Sequence, residues 1–214
     1  MTPPTNLRGV AATHWQFLFA MSFDGNCSVL GRSTNKVTEV GETRDSLVGV
    51  FDFAWDRLGS RLKGLGDAEY LWEPVADCWS IRMSDSGTWI MDDASASDAP
   101  PPMTTIAWRT CHLGGHVLGG FANWLNSDGE SPYNVDFIIP NDATGAKSFL
   151  ELNYEHWRRG MDSFPEERLW LPIGSEFGPF AESSAVDLIL HVLDEFIHHA
   201  AEIALLRDLY LRLG

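Results

Sequence analysis

The stretch DEFIHHAAEIALLRDLY, residues 194–210, decides the fold. Its apolar residues fall at steps of three and four, the period of an α-helix with one buried face. Followed in both directions, Leu188, Val192, Glu195, His199, Ile203 and Leu206 form one row along that helix. Glu195 and His199 therefore interrupt a row that faces a core. His191, Asp194, His198 and Glu202 fall to its polar side. A buried carboxylate and imidazole are costly unless they pair with each other or hold a metal. Placed one turn apart, the two can hold a single ion. From this helix alone, a plain Glu–His hydrogen bond in the core is an equal alternative.

Outward from that stretch, the helix is expected to start at a Ser183 or Ser184 cap and to run to about Leu213. Three earlier segments carry the same period. DSLVGVFDFAWDRLGSRLKGL, residues 45–65, sets Leu47, Val50, Phe51, Ala54, Trp55, Leu58 and Leu62 on helical steps and stops near Gly64 and Gly66. TTIAWRTCHLGGHVLGGFANWL, residues 104–125, is capped by Thr104 or Thr105. ATGAKSFLELNYEHWRRGMDSF, residues 143–164, opens at Asp142 or Thr144, with Pro165 just beyond its end.

Between the first and second helices, residues 67–103 read as irregular and rich in Trp, Pro and Asp. The run Pro100-Pro101-Pro102 closes them, because a proline run cannot sit inside a helix. Residues 1–42 read as an N-terminal extension and 43–214 as one domain. The expected class is all-α: a four-helix bundle with long loops, no strand set and no internal repeat. Metal and ligand sites in such bundles form from inward side chains on facing helices.

Composition agrees. Of 214 residues, 44% are hydrophobic and nine are tryptophan, enough for a sizeable core. Thirty acids face 15 bases, for a net charge of −15. Nucleic-acid binding needs lysine and arginine to displace phosphate counterions, so no nucleic-acid partner is expected. The same charge disfavours an anionic membrane surface. Cys27, Cys78 and Cys111 show no CxxC spacing and fit reduced thiols in a cytoplasm. The apolar run GVAATHWQFLFAM, residues 9–21, is too short to span a bilayer and no small-residue cleavage site follows it, so no signal peptide is expected.

A third ligand must come from another helix. His112, His116 and, more weakly, His156 are the candidates. In the second helix Ile106, Leu113, Val117, Phe121 and Trp124 share one face, and His112 and His116 lie beside Gly115 and Gly119, which can admit a close neighbour. Spacing does not choose between the two histidines and allows both, which would give a closed four-ligand site. HExxH, GxSxG, P-loop and GxGxxG patterns are all absent from the sequence. Cys111 stands beside His112, but adjacent side chains diverge on a helix. A packed thiol is the preferred reading there over a nucleophile.

Four stretches in order now resemble the DinB-like (YfiT-like) superfamily of metal-dependent enzymes: AEYLWEPVADCWSIR, TTIAWRTCHLGGHVLGG, HWRRGM and EFIHHAAEIALLRDLY. The resemblance covers roughly residues 44–214. It implies an up-up-down-down bundle holding one divalent metal, usually zinc or nickel, through one residue of the second helix and two of the last. Carried over by position, these are His112, Glu195 and His199. His116 and His198 become neighbours rather than ligands, and His198, Glu202, Asp194 and His116 are the candidates for supporting or proton-relay groups.

Many members show His-x3-His at the closing pair, whereas this chain has Glu-x3-His. That variant is similar to the mycothiol-dependent maleylpyruvate isomerase branch. The resemblance thus implies a low-molecular-weight thiol such as mycothiol as cofactor, a small-molecule substrate, and S-transfer or hydrolysis as the reaction. The isomerase carries a further C-terminal domain, so isomerisation itself is not expected. Members often form homodimers through the bundle, although no interface is marked in the sequence.

Two other classes stay open. One is a non-catalytic metal or small-ligand binding protein, with Trp72, Trp79 and Trp89 roofing a pocket. The other is a helical scaffold in which Glu195 and His199 merely hydrogen-bond.

Overall fold

The computed structural model describes residues 42–92, 102–126 and 135–214. The expected N-terminal extension lies outside the described residues except for Glu42, which opens the first helix.

Helix α1 is Glu42–Arg61. It buries Leu47, Val48, Phe51, Ala54 and Leu58; of the expected stripe, Val50 is instead exposed and Trp55 half-buried, and Val48 takes the inward position. Gly64, at φ +73°, turns the chain just beyond it. A single helical turn, Asp67–Tyr70, follows. The next segment departs from expectation. Strands β1 (Ile81–Met83) and β2 (Trp89–Met91) form an antiparallel hairpin with Arg82 opposite Ile90. Three residues per strand are too few to display a period of two, which is why the sequence shows only irregular chain there.

The hairpin is fastened to the start of the second helix. The Trp79 N–H donates to Met103 O and the Thr105 N–H donates to Trp79 O, both at 2.9 Å. Thr105 also caps that helix, its hydroxyl accepting from the Trp108 N–H at 3.2 Å. Helix α2 covers 106–126 in three parts: α-helical Ile106–Cys111, a π-helical stretch His112–Gly120 and α-helical Phe121–Asn126. Widened i→i+5 turns of this kind recur at functional sites.

Helix α3 is Ala143–Ser163, capped by the Asp142 carboxylate, which accepts from the Gly145 N–H at 2.7 Å. Glycines of the π stretch bring α3 close: a Cβ on Gly114 would stand 2.5 Å from Phe149, and one on Gly119 would stand 2.6 Å from Asn153. Gly115 instead meets Phe137 of the preceding loop.

Helix α4 is Ala185–Leu213. Ser184 and Asp187 form a reciprocal capping box at its start. Replacing Ser184 with Ala is expected to lower unfolding free energy by about 1 kcal/mol in a urea titration. An unchanged midpoint would mean that the tertiary contacts of α4 hold its first turn without the cap.

The four helices pack as a bundle. Phe51 of α1, Trp157 of α3 and Phe196 of α4 meet at its centre, with ring centroids 5.2 Å apart for Phe51–Trp157 and 6.1 Å for Phe51–Phe196. Helix α2 lies against both α3 and α4. Among the described residues no helix is long and apolar enough to cross a membrane.

Candidate metal centre

Where α2 meets α4, three side chains of metal-binding type converge. His112 is the first residue of the π stretch, and Glu195 and His199 stand one turn apart on α4. Their ligand atoms all lie within 4.8 Å of one another. All three residues are buried, with exposures of 3% for His112, 9% for Glu195 and 4% for His199. Glu195 Oε2 lies between the two imidazoles, 3.1 Å from His199 Nε2 and 3.8 Å from His112 Nε2. A tetrahedral ion with bonds of about 2.0–2.2 Å holds its donors about 3.4 Å apart. Two nitrogens and one carboxylate oxygen at these separations therefore suit a divalent ion in both chemistry and spacing.

The far side of His199 is also occupied. Its Nδ1 is 2.8 Å from Glu202 Oε2. Glu202 in turn is gripped by Arg109 from α2, whose Nε is 2.8 Å from Oε2 and whose Nη2 donates to Oε1 at 3.2 Å. Histidines that bind metals commonly donate their second ring N–H to a carboxylate in this way. On the other imidazole, the Trp108 ring stacks on His112 with centroids 5.1 Å apart.

The model of the DinB superfamily matches residues 51–203, most of the chain and all of this centre. The chain belongs to the DinB superfamily. Among curated proteins and among solved structures nothing matches it. Its bundle is the all-α fold expected of the superfamily.

The other residues singled out in this DinB-superfamily chain are placed as follows. His116 is half-buried, its ring centroid 5.7 Å from His112 and 5.2 Å from Phe137, and it is not one of the clustered donors. His198 is exposed, with Nε2 3.2 Å from Glu202 Oε1. Together with His199 and Glu202 it makes a second group of donors. A cation there would meet the Arg109 guanidinium already paired with Glu202, and would compete for His199. Asp194 is exposed and His156 half-buried, and neither belongs to a donor group.

Cys111 is fully buried, and burial pushes its thiol up to about 12, which makes it an inert packing residue. Of the three tryptophans that could roof a pocket, Trp79 packs on Trp108, with ring centroids 5.5 Å apart. Trp72 packs on Tyr210, and Trp89 sits in β2 against the core. A cleft of about 300 Å³ opens between α1 and α3, lined by Trp55, Lys63 and Lys147 among others, and includes none of the clustered donors.

Electrostatics divide the two imidazoles. Burial pushes His112 down to about 3, so it is neutral at physiological pH. Burial also works against a charged His199, but the hydrogen bonds with Glu195 and Glu202 outweigh it and raise its pKa. For Glu195, burial favours the neutral acid, yet the neighbouring His112 imidazole and the hydrogen bond with His199 hold it well below the ordinary carboxylate range. Below its raised pKa, His199 in the metal-free protein donates from Nδ1 to Glu202 and from Nε2 to Glu195. In that state two carboxylates are matched by one imidazolium and one guanidinium.

Arg109 is the site residue that sequence reasoning missed. A signal was present: it stands three residues before His112, and residues three apart share a helix face.

Proposed function

We propose that this chain is a divalent-metal-dependent enzyme acting on a small molecule, with His112, Glu195 and His199 as ligands and zinc or nickel as the metal. The observation that carries this reading is the convergence of three buried donors of the right types at one point between α2 and α4. Three protein ligands leave a coordination position for water or substrate, as catalytic sites do. A divalent ion in this place supplies a Lewis acid that lowers the pKa of a thiol or of water.

Around it, Glu202 accepts the Nδ1–H of His199 and fixes the ring. Exposed His198, 3.2 Å from Glu202, offers a path for protons to solvent. The ring of His116 lies 5.7 Å from that of His112, which supports a role for His116 as a neighbouring group to a bound molecule. The Glu-x3-His pair supports the thiol-using branch, so transfer involving a low-molecular-weight thiol such as mycothiol is the favoured reaction, and hydrolysis is the second.

The test is thiol consumption by zinc- or nickel-loaded protein given mycothiol or bacillithiol and an activated haloarene or epoxide. Turnover above background, lost in His112→Ala, supports the reading. If loaded protein consumes no thiol and cleaves no ester faster than His112→Ala, the chain is instead a non-catalytic metal or small-ligand binding protein.

Metal binding itself should depend on pH in a definite direction. With its pKa raised, His199 holds a proton at Nε2 that a metal must displace, whereas His112 and Glu195 are already deprotonated. Affinity is therefore expected to fall as pH drops below the raised His199 pKa, by about tenfold per pH unit for one exchanged proton. Calorimetry at pH 6 in two buffers of different ionisation heat should read about one proton released per ion. Zero protons would mean that His199 is neutral in the metal-free protein.

A further inference from the structure

Arg109 is largely buried, with 18% of its side chain exposed, and its guanidinium lies over the Trp108 ring at 5.1 Å. Its Nη2 donates to Glu202 Oε1 at 3.2 Å, and its Nε lies 2.8 Å from Oε2 as a close ion-pair contact. One charge-assisted hydrogen bond backed by the guanidinium charge at the second oxygen holds the carboxylate in place. This matters because Glu202 has two claimants on its other side. Buried His199 presents Nδ1 to Oε2 at 2.8 Å, and exposed His198 presents Nε2 to Oε1 at 3.2 Å. Left to itself, a carboxylate between a buried and a solvated imidazole can turn toward solvent. Nη1 of Arg109 also lies 3.2 Å from His199 Nδ1. Both atoms carry hydrogen when Nδ1 donates to Glu202, so the carboxylate is what joins them.

We infer that Arg109 is a positioning residue: its hydrogen bond and charge on Glu202 keep that carboxylate on His199 Nδ1, and so keep Nε2 of His199 facing Glu195 and His112. The inference rests on the metal reading for its functional meaning, but its structural content does not require an ion. No single residue of α4 fixes the ring; the third partner comes from α2, the helix that also supplies His112. Arg109 and His112 stand three residues apart at the junction where α2 passes into its π stretch. The same few residues of α2 thus supply one donor and orient another.

The test uses the full chain labelled with 15N-histidine, metal-free and zinc-loaded. In wild-type protein His199 Nδ1–H should give a slowly exchanging, hydrogen-bonded signal in both states. In Arg109→Gln that signal should broaden or vanish, and zinc affinity, read by competition with a fluorescent chelator, should fall about 10- to 100-fold. Arg109→Lys should recover part of the loss, because a lysine supplies the charge and a donor on a differently shaped side chain. Glu202→Gln combined with Arg109→Gln should lose no more than the worse single variant, as expected for groups acting as a unit.

A mere strut between α2 and α4 predicts otherwise: lower thermal stability with zinc affinity and the Nδ1–H signal unchanged. That result would overturn the inference. Wild-type protein that binds no zinc would overturn the metal reading instead. The metal-free Nδ1–H signal would then decide the role of Arg109 alone, its loss in Arg109→Gln supporting positioning and its survival refuting it.

Discussion

Glu195→Ala, His199→Ala and His112→Ala are each expected to lose bound metal, with affinity reduced more than 100-fold, while His198→Ala keeps it. The ratio follows from position. A partner behind a ligand is commonly worth about 10- to 100-fold in metal affinity, and removing the ligand itself costs more. With three protein donors, each variant leaves only two, and the carboxylate that lies between the imidazoles is the only anionic one. His198 neighbours His199 in sequence but is exposed on the far side of Glu202, so its loss removes no donor from the buried group. Elemental analysis of untagged protein, followed by competition titration, reads the outcome directly.

Fold loss is a separate hazard, and it runs differently at each position. Glu195→Ala deletes a buried anion and leaves His199 Nε2 without its carboxylate partner, while Glu202 is shared with Arg109. His112→Ala opens a space beneath Trp108. Glu195→Gln, close in shape, keeps the packing while removing the charge, and should bind metal almost as poorly as Glu195→Ala. Equal losses at positions 198 and 199 would mean that the buried row on α4 is wrongly phased. Full retention by all three ligand variants would remove the metal centre altogether.

The phase of α4 was legible because nothing competes with it. Leu188, Val192, Ile203 and Leu206 mark the buried row on either side of Glu195 and His199, and all six are buried. The partner on α2 was harder to place. Periodicity left His112 and His116 undecided; the resemblance to known sequences favoured His112, and the structure puts that residue in the cluster. The reason lies in HLGGHVLGG, residues 112–120. A π-helical stretch carries more residues per turn, so helical steps counted at 100° drift out of register along it. Arg109 escaped notice because an arginine beside a tryptophan reads as a solvated residue. Its burial depends on Glu202 from a helix some ninety residues away. The hairpin 81–91 was illegible for want of length. Each of these gaps concerns a tertiary partner or a local irregularity, neither of which leaves a repeating pattern in sequence.

The second large effect is on the fold, at Glu69. This residue is 5% exposed, and its carboxylate meets the 8% exposed Arg207 of α4 at 2.7 Å from Nε and 3.1 Å from Nη2. Arg207 also donates from Nη1 to the carbonyls of Arg61 and of Lys63, the latter at 2.9 Å. One guanidinium thus satisfies the open C-terminal end of α1 and joins it to the turn 67–70 and to α4. Removing the carboxylate strands a buried cation whose other partners are neutral carbonyls. Glu69→Ala is therefore expected to cost about 3–5 kcal/mol in urea unfolding, a large share of a typical domain's stability.

Replacing both partners with apolar residues, Glu69→Leu with Arg207→Met, should cost much less than Glu69→Ala, since no charge is then left behind. The carbonyls of Arg61 and Lys63 would still lose a donor, so the double variant should not exceed wild type by much. If Glu69→Ala costs under about 1 kcal/mol, water reaches the pair and it behaves as a surface bridge. Arg207 lies two turns beyond His199, outside the donor cluster. The surviving folded fraction of Glu69→Ala should therefore bind metal with unchanged affinity, which separates a protein that has lost its frame from one that has lost its site.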